Sequence, residues 1–151
     1  MKARRKAERA SRPLVATKMN GRDARSTFRE LIAAAKAAQR NAHAPYSKFH
    51  VGAALLTKSG KVYTGVNVEN ASYGLTNCAE RVAIGKAVSE GHRKFRALAV
   101  VAPSTALSPC GACRQVLAEF GEMVVICADS RNLRRVRVHL LSELLPHAFK
   151  L

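Results

Sequence analysis

At 151 residues, 48% of them hydrophobic and only 5% aromatic, the chain has the length of one domain with a sizeable core. It carries 26 Lys and Arg against 10 Asp and Glu, a net charge of +16, which invites an anionic partner without specifying one. No apolar run approaches the about 18 residues of a membrane-spanning helix, so a membrane protein of that kind is excluded.

The first 25 residues hold nine basic side chains and two acidic ones, Glu8 and Asp23. Residues 1–22 show no amphipathic period and read as a basic, disordered extension, leaving 23–151 as the domain. A helix is expected over Ser26–Ala42. Thr27 and Glu30 have capping-box spacing, Phe28, Leu31, Ile32, Ala35 and Ala38 form an apolar stripe, and Pro45 marks its end. Phe49–Thr57 reads as a buried strand, with Gly52, Ala53 and Ala54 small where something packs closely. Lys58-Ser59-Gly60 makes a hairpin turn and Lys61–Val66 the returning strand. Asn67 and Glu69 follow where the chain leaves the sheet. A helix begins at Cys78 and runs to Ser89 or Glu90, with Gly91 as its stop, and Phe95–Ala102 is an apolar run suited to a central strand covered on both faces. Pro109 opens a second cysteine helix ending near Phe120-Gly121. Met123–Ala128 and Val136–Leu140 complete the strands, and Ser142–Pro146 forms a terminal helical turn. The order α-β-β-α-β-α-β-β-α predicts an α/β fold, a five-stranded mixed sheet with helices on both faces.

The chemistry sits in two short stretches, Asn77-Cys78-Ala79-Glu80-Arg81 and Pro109-Cys110-Gly111-Ala112-Cys113-Arg114-Gln115. Cys110 and Cys113 form a C-x-x-C pair whose sulfurs can reach one metal ion, and Cys78 lies 32 residues upstream. A helix N-terminus favours thiolate over thiol, and both stretches are expected to open helices. Zinc bound by three thiolates keeps a fourth position for water, whose pKa then falls toward about 7 in favourable sites. Three thiolates leave the ion with a net negative charge, which Arg81 can offset by donating hydrogen bonds to sulfur. Glu80 is then placed as proton carrier, not ligand. Cys127 lies within a strand-like run, where a free cysteine serves as a small buried hydrophobe.

The pattern C-x-E … P-C-x-x-C follows that of zinc deaminases acting on cytosine or adenine, with cysteine at the first ligand position. Together with Tyr46–Ala54 and Asn67–Leu75, it resembles the successive motifs of the small homotetrameric cytidine deaminases, from about Leu31 to the C-terminus. The resemblance implies a three-layer α/β/α sandwich and one zinc per subunit on Cys78, Cys110 and Cys113. It also implies conversion of cytidine and 2′-deoxycytidine to uridine and 2′-deoxyuridine in pyrimidine salvage. In that family's reaction hydroxide attacks C4 of cytosine, N3 is protonated and ammonia leaves, with the carboxylate matching Glu80 serving each step. By the same resemblance Asn67 and Glu69 hold the ribose hydroxyls, Phe49 faces the pyrimidine, and Ala79 offers its backbone N–H near the reacting ring. Tyr73 and Phe149 act across subunits in shared active sites.

Rival readings differ at named residues. A structural zinc would need a fourth ligand, and Cys127 is the only thiol left. Glu80 could instead pair with Arg81 or Arg114. A deaminase of nucleoside analogues would not need Asn67 and Glu69, and a cytosine deaminase of single-stranded nucleic acid, anchored by the basic tail, would carry histidine where Cys78 stands. A basic nucleic-acid-binding protein with structural zinc would not need Glu80; salt-sensitive binding without turnover would mark it. With no secretory h-region and four cysteines, reduced thiols and a cytoplasmic location are expected. The Arg-rich, acid-poor N-terminus leaves organelle targeting open.

Overall fold

The computed structural model describes residues 21–151. The basic extension predicted over 1–22 therefore lies, save its last two residues, outside the described residues. Helix α1 spans Gly21–Gln39, starting five residues before the predicted Ser26. Ala24 is the reason: it is buried with Leu31, Ile32 and Ala35, so the apolar stripe begins a turn earlier than Phe28. Thr27 and Glu30 lie inside the helix, where Ser26 Oγ donates to Glu30 Oε1 at 3.0 Å. The helix stops at Gln39, three residues short of the prediction, and the N–H groups of Asn41 and Ala42 close tighter turns onto the Ala38 and Gln39 carbonyls.

The remaining elements are β1 (Gly52–Thr57), β2 (Val62–Val66), a 3-10 turn over Tyr73–Leu75, α2 (Ala79–Ser89), β3 (Phe95–Ala102), α3 (Gly111–Ala118), β4 (Val124–Asp129), β5 (Asn132–Leu140) and the short α4 (Leu141–Leu144). The sheet order is β2-β1-β3-β4-β5. Only β3 and β4 pair in parallel; the other neighbours are antiparallel, which makes the predicted mixed sheet. Among the described residues no helix is long and apolar enough to cross a membrane.

Alternation along β3 divides the core. Ala97, Ala99 and Val101 join α1 residues Leu31, Ile32 and Ala35 on one face. Leu98 and Val100 join Ala83, Ile84, Ala87 and Leu117 from α2 and α3 on the other. This is the three-layer α/β/α sandwich, with the sheet buried on both faces. Each fully buried Leu or Val contributes about 1.5–3 kcal/mol. Two glycines set how closely the layers approach. A Cβ on Gly52 would strike the α1 backbone at Ala35 and Gln39, and one on Gly65 would strike the α2 backbone at Ala79 and Ala83.

Two strand boundaries differ from expectation by more than one residue. β1 begins at Gly52, not Phe49, because the Asn67 side chain replaces the next backbone partner: its Oδ1 accepts from Val51 N–H at 2.9 Å and its Nδ2 donates to the Phe49 carbonyl at 2.8 Å. β5 begins at Asn132, four residues early. Its outer end is exposed and carries Arg134 and Arg135, so the apolar alternation that marks a strand is missing there although the ladder to β4 continues.

Candidate active site

Both cysteine stretches do begin helices, with the cysteine itself in the capping position. Cys78 is the N-cap of α2 and Cys110 the N-cap of α3, so α3 starts after Cys110 and not at Pro109. Neither makes a capping hydrogen bond through its side chain, which leaves both sulfurs available. Cys113 lies in the first turn of α3 and is buried. The three Sγ atoms fall within 4.8 Å of one another, and Cys78 and Cys110 are 3.8 Å apart. Tetrahedral zinc with Zn–S bonds of about 2.3 Å sets sulfurs about 3.8 Å apart, so the cluster has the spacing that zinc requires. Cys127 stands apart from it, buried in β4, with burial pushing its thiol up to about 12. Four-cysteine closure of the site is thereby excluded.

The sulfurs are not equivalent. Cys78 is held down to about 5, first by a hydrogen bond from Cys113, then by Arg81 and Cys110. Cys113, as the donor in that bond and a buried one, is pushed well above the ordinary thiol range. Arg81 donates to Cys78 Sγ at 3.6 Å and to the Thr76 carbonyl at 3.2 Å. Its Nε is buried without a partner among the described residues. A guanidinium set against a thiolate cluster offsets negative charge where the donor set has an excess of it.

Glu80 is 5% exposed. Burial raises its carboxyl to about 7, and the neighbouring Cys78 thiolate pushes the same way against the pull of Arg81. It forms no ion pair with Arg81 or Arg114, so the alternative of a simple salt bridge is not realised among the described residues. A carboxyl poised near neutrality beside a metal-binding cluster can take a proton and return it.

A second group stands alongside. Val68 pairs with Asn77 through two backbone bonds of 2.9 Å, and so places Asn67 and Glu69, its neighbours, next to the approach to Cys78. Glu69 accepts from the N–H groups of Tyr46 and Ser47 and from Ser47 Oγ, and these bonds, the Ser47 hydroxyl foremost, hold its carboxyl below the ordinary range. Ser47 Oγ also accepts from Phe49 N–H at 3.0 Å. Lys48, between them, adopts a left-handed backbone (φ 57°) to make that turn. Ser47 thus joins Phe49 to Glu69; it lies within the Tyr46–Ala54 motif, but spacing alone gave it no role. Ala79 is fully buried at the start of α2.

Two expected site residues are not brought in by this chain alone. Tyr73 is 79% exposed and Phe149 69%. Tyr73 has an edge contact with Tyr46, ring centroids 6.4 Å apart, and the Phe149 carbonyl accepts from Gln115 Nε2 at 3.1 Å. A concavity of about 960 Å³ lies at the opposite end of the sheet, lined by Lys58, Arg93, Lys94 and Glu119 among others, and no site residue lines it. Sequence reasoning also missed Arg137 of β5, which donates to the Thr105 and Leu107 carbonyls and so holds the loop leading to Cys110.

Residues 25–128 match the family model described as the cytidine and deoxycytidylate deaminase zinc-binding region. The chain belongs to that deaminase family. It is 52% identical over 123 residues to a cytidine deaminase of Sporosarcina psychrophila, covering 80% of this chain and 89% of the relative. A cytidine deaminase of Halalkalibacterium halodurans is 53% identical over 126 residues, covering 79% and 91%. The crystal structure of cytidine deaminase from Burkholderia pseudomallei superposes with a TM-score of 0.76 at 52% identity, covering 80% of this chain and 98% of that one. In this zinc-binding deaminase the cluster of Cys78, Cys110 and Cys113 has the donors and spacing to hold the metal, and the mixed-sheet sandwich is the fold of its structural relatives.

Proposed function

We propose that this deaminase hydrolyses cytidine and 2′-deoxycytidine to uridine and 2′-deoxyuridine with release of ammonia, in pyrimidine salvage. The observation that carries the reading is Glu80, buried beside the three-thiol cluster two residues after Cys78, with its carboxyl raised to about 7. When bound, zinc supplies a water acidic enough to serve as nucleophile near neutral pH. Glu80 takes the proton that this water loses as oxygen bonds to C4 of the base. It delivers a proton to N3, then carries one to the amino group, so that the C4–N bond breaks and ammonia leaves. Arg81 balances the thiolates. Phe49 packs on the pyrimidine, Asn67 and Glu69 hold the ribose hydroxyls, the Glu69 carboxylate as an acceptor, and the Ala79 N–H lies near the reacting ring.

The exposure of Tyr73 and Phe149 supports a homotetramer in which each reaches a neighbour's site. Four free cysteines support a reducing compartment, the cytoplasm. Residues 1–22 form an accessory basic extension to the catalytic domain 23–151, in keeping with a family match that begins at residue 25. The test is direct: incubate the purified, zinc-loaded protein with cytidine, follow ultraviolet loss of the cytosine chromophore and ammonia release, and run Glu80→Gln alongside. Turnover that falls by about 10²–10⁴ in the variant, with zinc retained, supports the reading. A tetrameric, zinc-loaded wild type without turnover overturns it.

A further inference from the structure

Arg114 and Gln115 follow Cys113 directly, and their side-chain hydrogen bonds go to groups other than the three sulfurs. Arg114 spends its guanidinium on three acceptors, each at 2.7 Å: Nε on the Pro109 carbonyl, one terminal nitrogen on Ser108 Oγ and the other on the Leu144 carbonyl. Ser108 and Pro109 are the two residues before ligand Cys110. Leu144 closes α4, from which the chain continues to Phe149. Gln115 then holds the Phe149 carbonyl itself.

The first turn of α3 thus grips two separate segments. The loop into Cys110 lies between β3 and α3, outside any helix or strand ladder. Arg114 fixes its last two residues before the ligand, and Arg137 its earlier part. A planar guanidinium meets the three acceptors from three separate nitrogens held in fixed positions; lysine, with its donors on one nitrogen at the end of a flexible stem, does not reproduce that reach.

We propose that Arg114 is a positioning residue that sets ligand Cys110 and the Phe149 segment together, coupling zinc retention to substrate affinity through one guanidinium. Gln115 serves the second task alone. The proposal rests on the reading of the three-thiol cluster as the zinc site and of Phe149 as a substrate residue.

The experiment uses full-length, zinc-loaded wild type, Arg114→Lys and Gln115→Ala. It measures zinc release to a chromogenic chelator, KM and kcat for cytidine, and the thermal midpoint. Outer-shell changes at metal sites cost about 10–100-fold in metal affinity. Arg114→Lys is expected to release zinc about tenfold faster or more and to raise KM, whereas Gln115→Ala raises KM and leaves zinc release unchanged. Zinc release by Arg114→Lys equal to wild type, or a Gln115→Ala variant of equal thermal midpoint that loses zinc as fast, overturns the proposal. Should Arg114→Lys fail to fold, Ser108→Ala removes one of the three acceptors: faster zinc release supports the proposal, and an unchanged rate overturns it. If wild type holds zinc but leaves cytidine intact, the functional reading falls while the zinc-release comparison still decides the role of Arg114.

Discussion

The Asn67 side chain donates to the Phe49 carbonyl at 2.8 Å while accepting from Val51 N–H. One buried amide thereby ends the β1 ladder and fixes the backbone at Phe49. Leaving a buried backbone group unpaired costs about 1–3 kcal/mol. Asn67→Asp keeps an acceptor for Val51 but sets an oxygen against the Phe49 carbonyl. Its expected effect is a stability loss of about that size together with a higher KM for cytidine. Chemical denaturation and steady-state kinetics on the same preparation check it; a variant matching wild type in both removes Asn67 from the role of holding Phe49.

Which parts of this arrangement the sequence disclosed follows from how locally each is determined. β3 matches its prediction residue for residue, because an apolar run covered on both faces needs no partner to be recognised. The clustering of the three cysteines with Glu80 buried beside them was legible because metal chemistry constrains both residue type and spacing, and the two helix starts bring these residues together. β1 was read three residues too long because a side chain, not a turn residue, stops it. β5 was read short because its exposed arginines carry no apolar period. Arg114 and Arg137 act through hydrogen bonds to distant backbone and Ser47 through one to the distant Glu69 carboxylate, a property that no periodicity or spacing expresses. Tyr73 and Phe149 remain exposed in the single chain, so only an assembly can give them the work expected of them.

Gly65 and Gly52 offer a matched pair. An added methyl at either meets helix backbone, which costs about 1–3 kcal/mol when a packed layer must shift. Gly65→Ala pushes on Ala79 and Ala83 of α2, the helix that carries Glu80 and is capped by Cys78. Gly52→Ala pushes on Ala35 and Gln39 of α1, which carries no site residue. Both variants should melt lower, but only Gly65→Ala should lose zinc on dialysis against a weak chelator. Equal metal content in the two would show that α2 tolerates the shift without moving its ligand.

Asp129 closes β4 and is buried. The side chain of Arg131, then its backbone N–H and Arg135, holds the Asp129 carboxyl below the ordinary aspartate range. A carboxyl with a lowered folded-state pKa contributes stability that is present above its unfolded value, near about 3.9, and is lost as pH falls through the folded one. Urea unfolding from pH 6 down to pH 2 should therefore show a drop below about pH 4 that is shallower in Asp129→Asn. Since both arginines are largely exposed, added salt should shrink the difference. Parallel acid limbs for the two proteins would show that the pair does nothing for the fold.

Phe149 is largely exposed, and it is held through its carbonyl, which accepts from Gln115, not through its ring. Within one chain, then, Phe149→Ala removes little buried surface, and the subunit's stability should change by no more than about 0.5 kcal/mol. An aromatic contact with a bound base is worth about 0.5–1.5 kcal/mol, which sets the expected rise in KM at up to about tenfold. The two numbers separate the cases: a ring that serves a neighbour's site raises KM without matching loss of the fold, whereas a ring that merely decorates the surface changes neither. Mixing Phe149→Ala with an inactive Glu80→Gln protein sharpens this further. If the ring acts across subunits, sites with intact Glu80 gain Phe149 from the other parent, and KM falls back toward the wild-type value in mixed tetramers. A KM that stays at the Phe149→Ala value after subunit exchange would place the ring in its own subunit's site or in none.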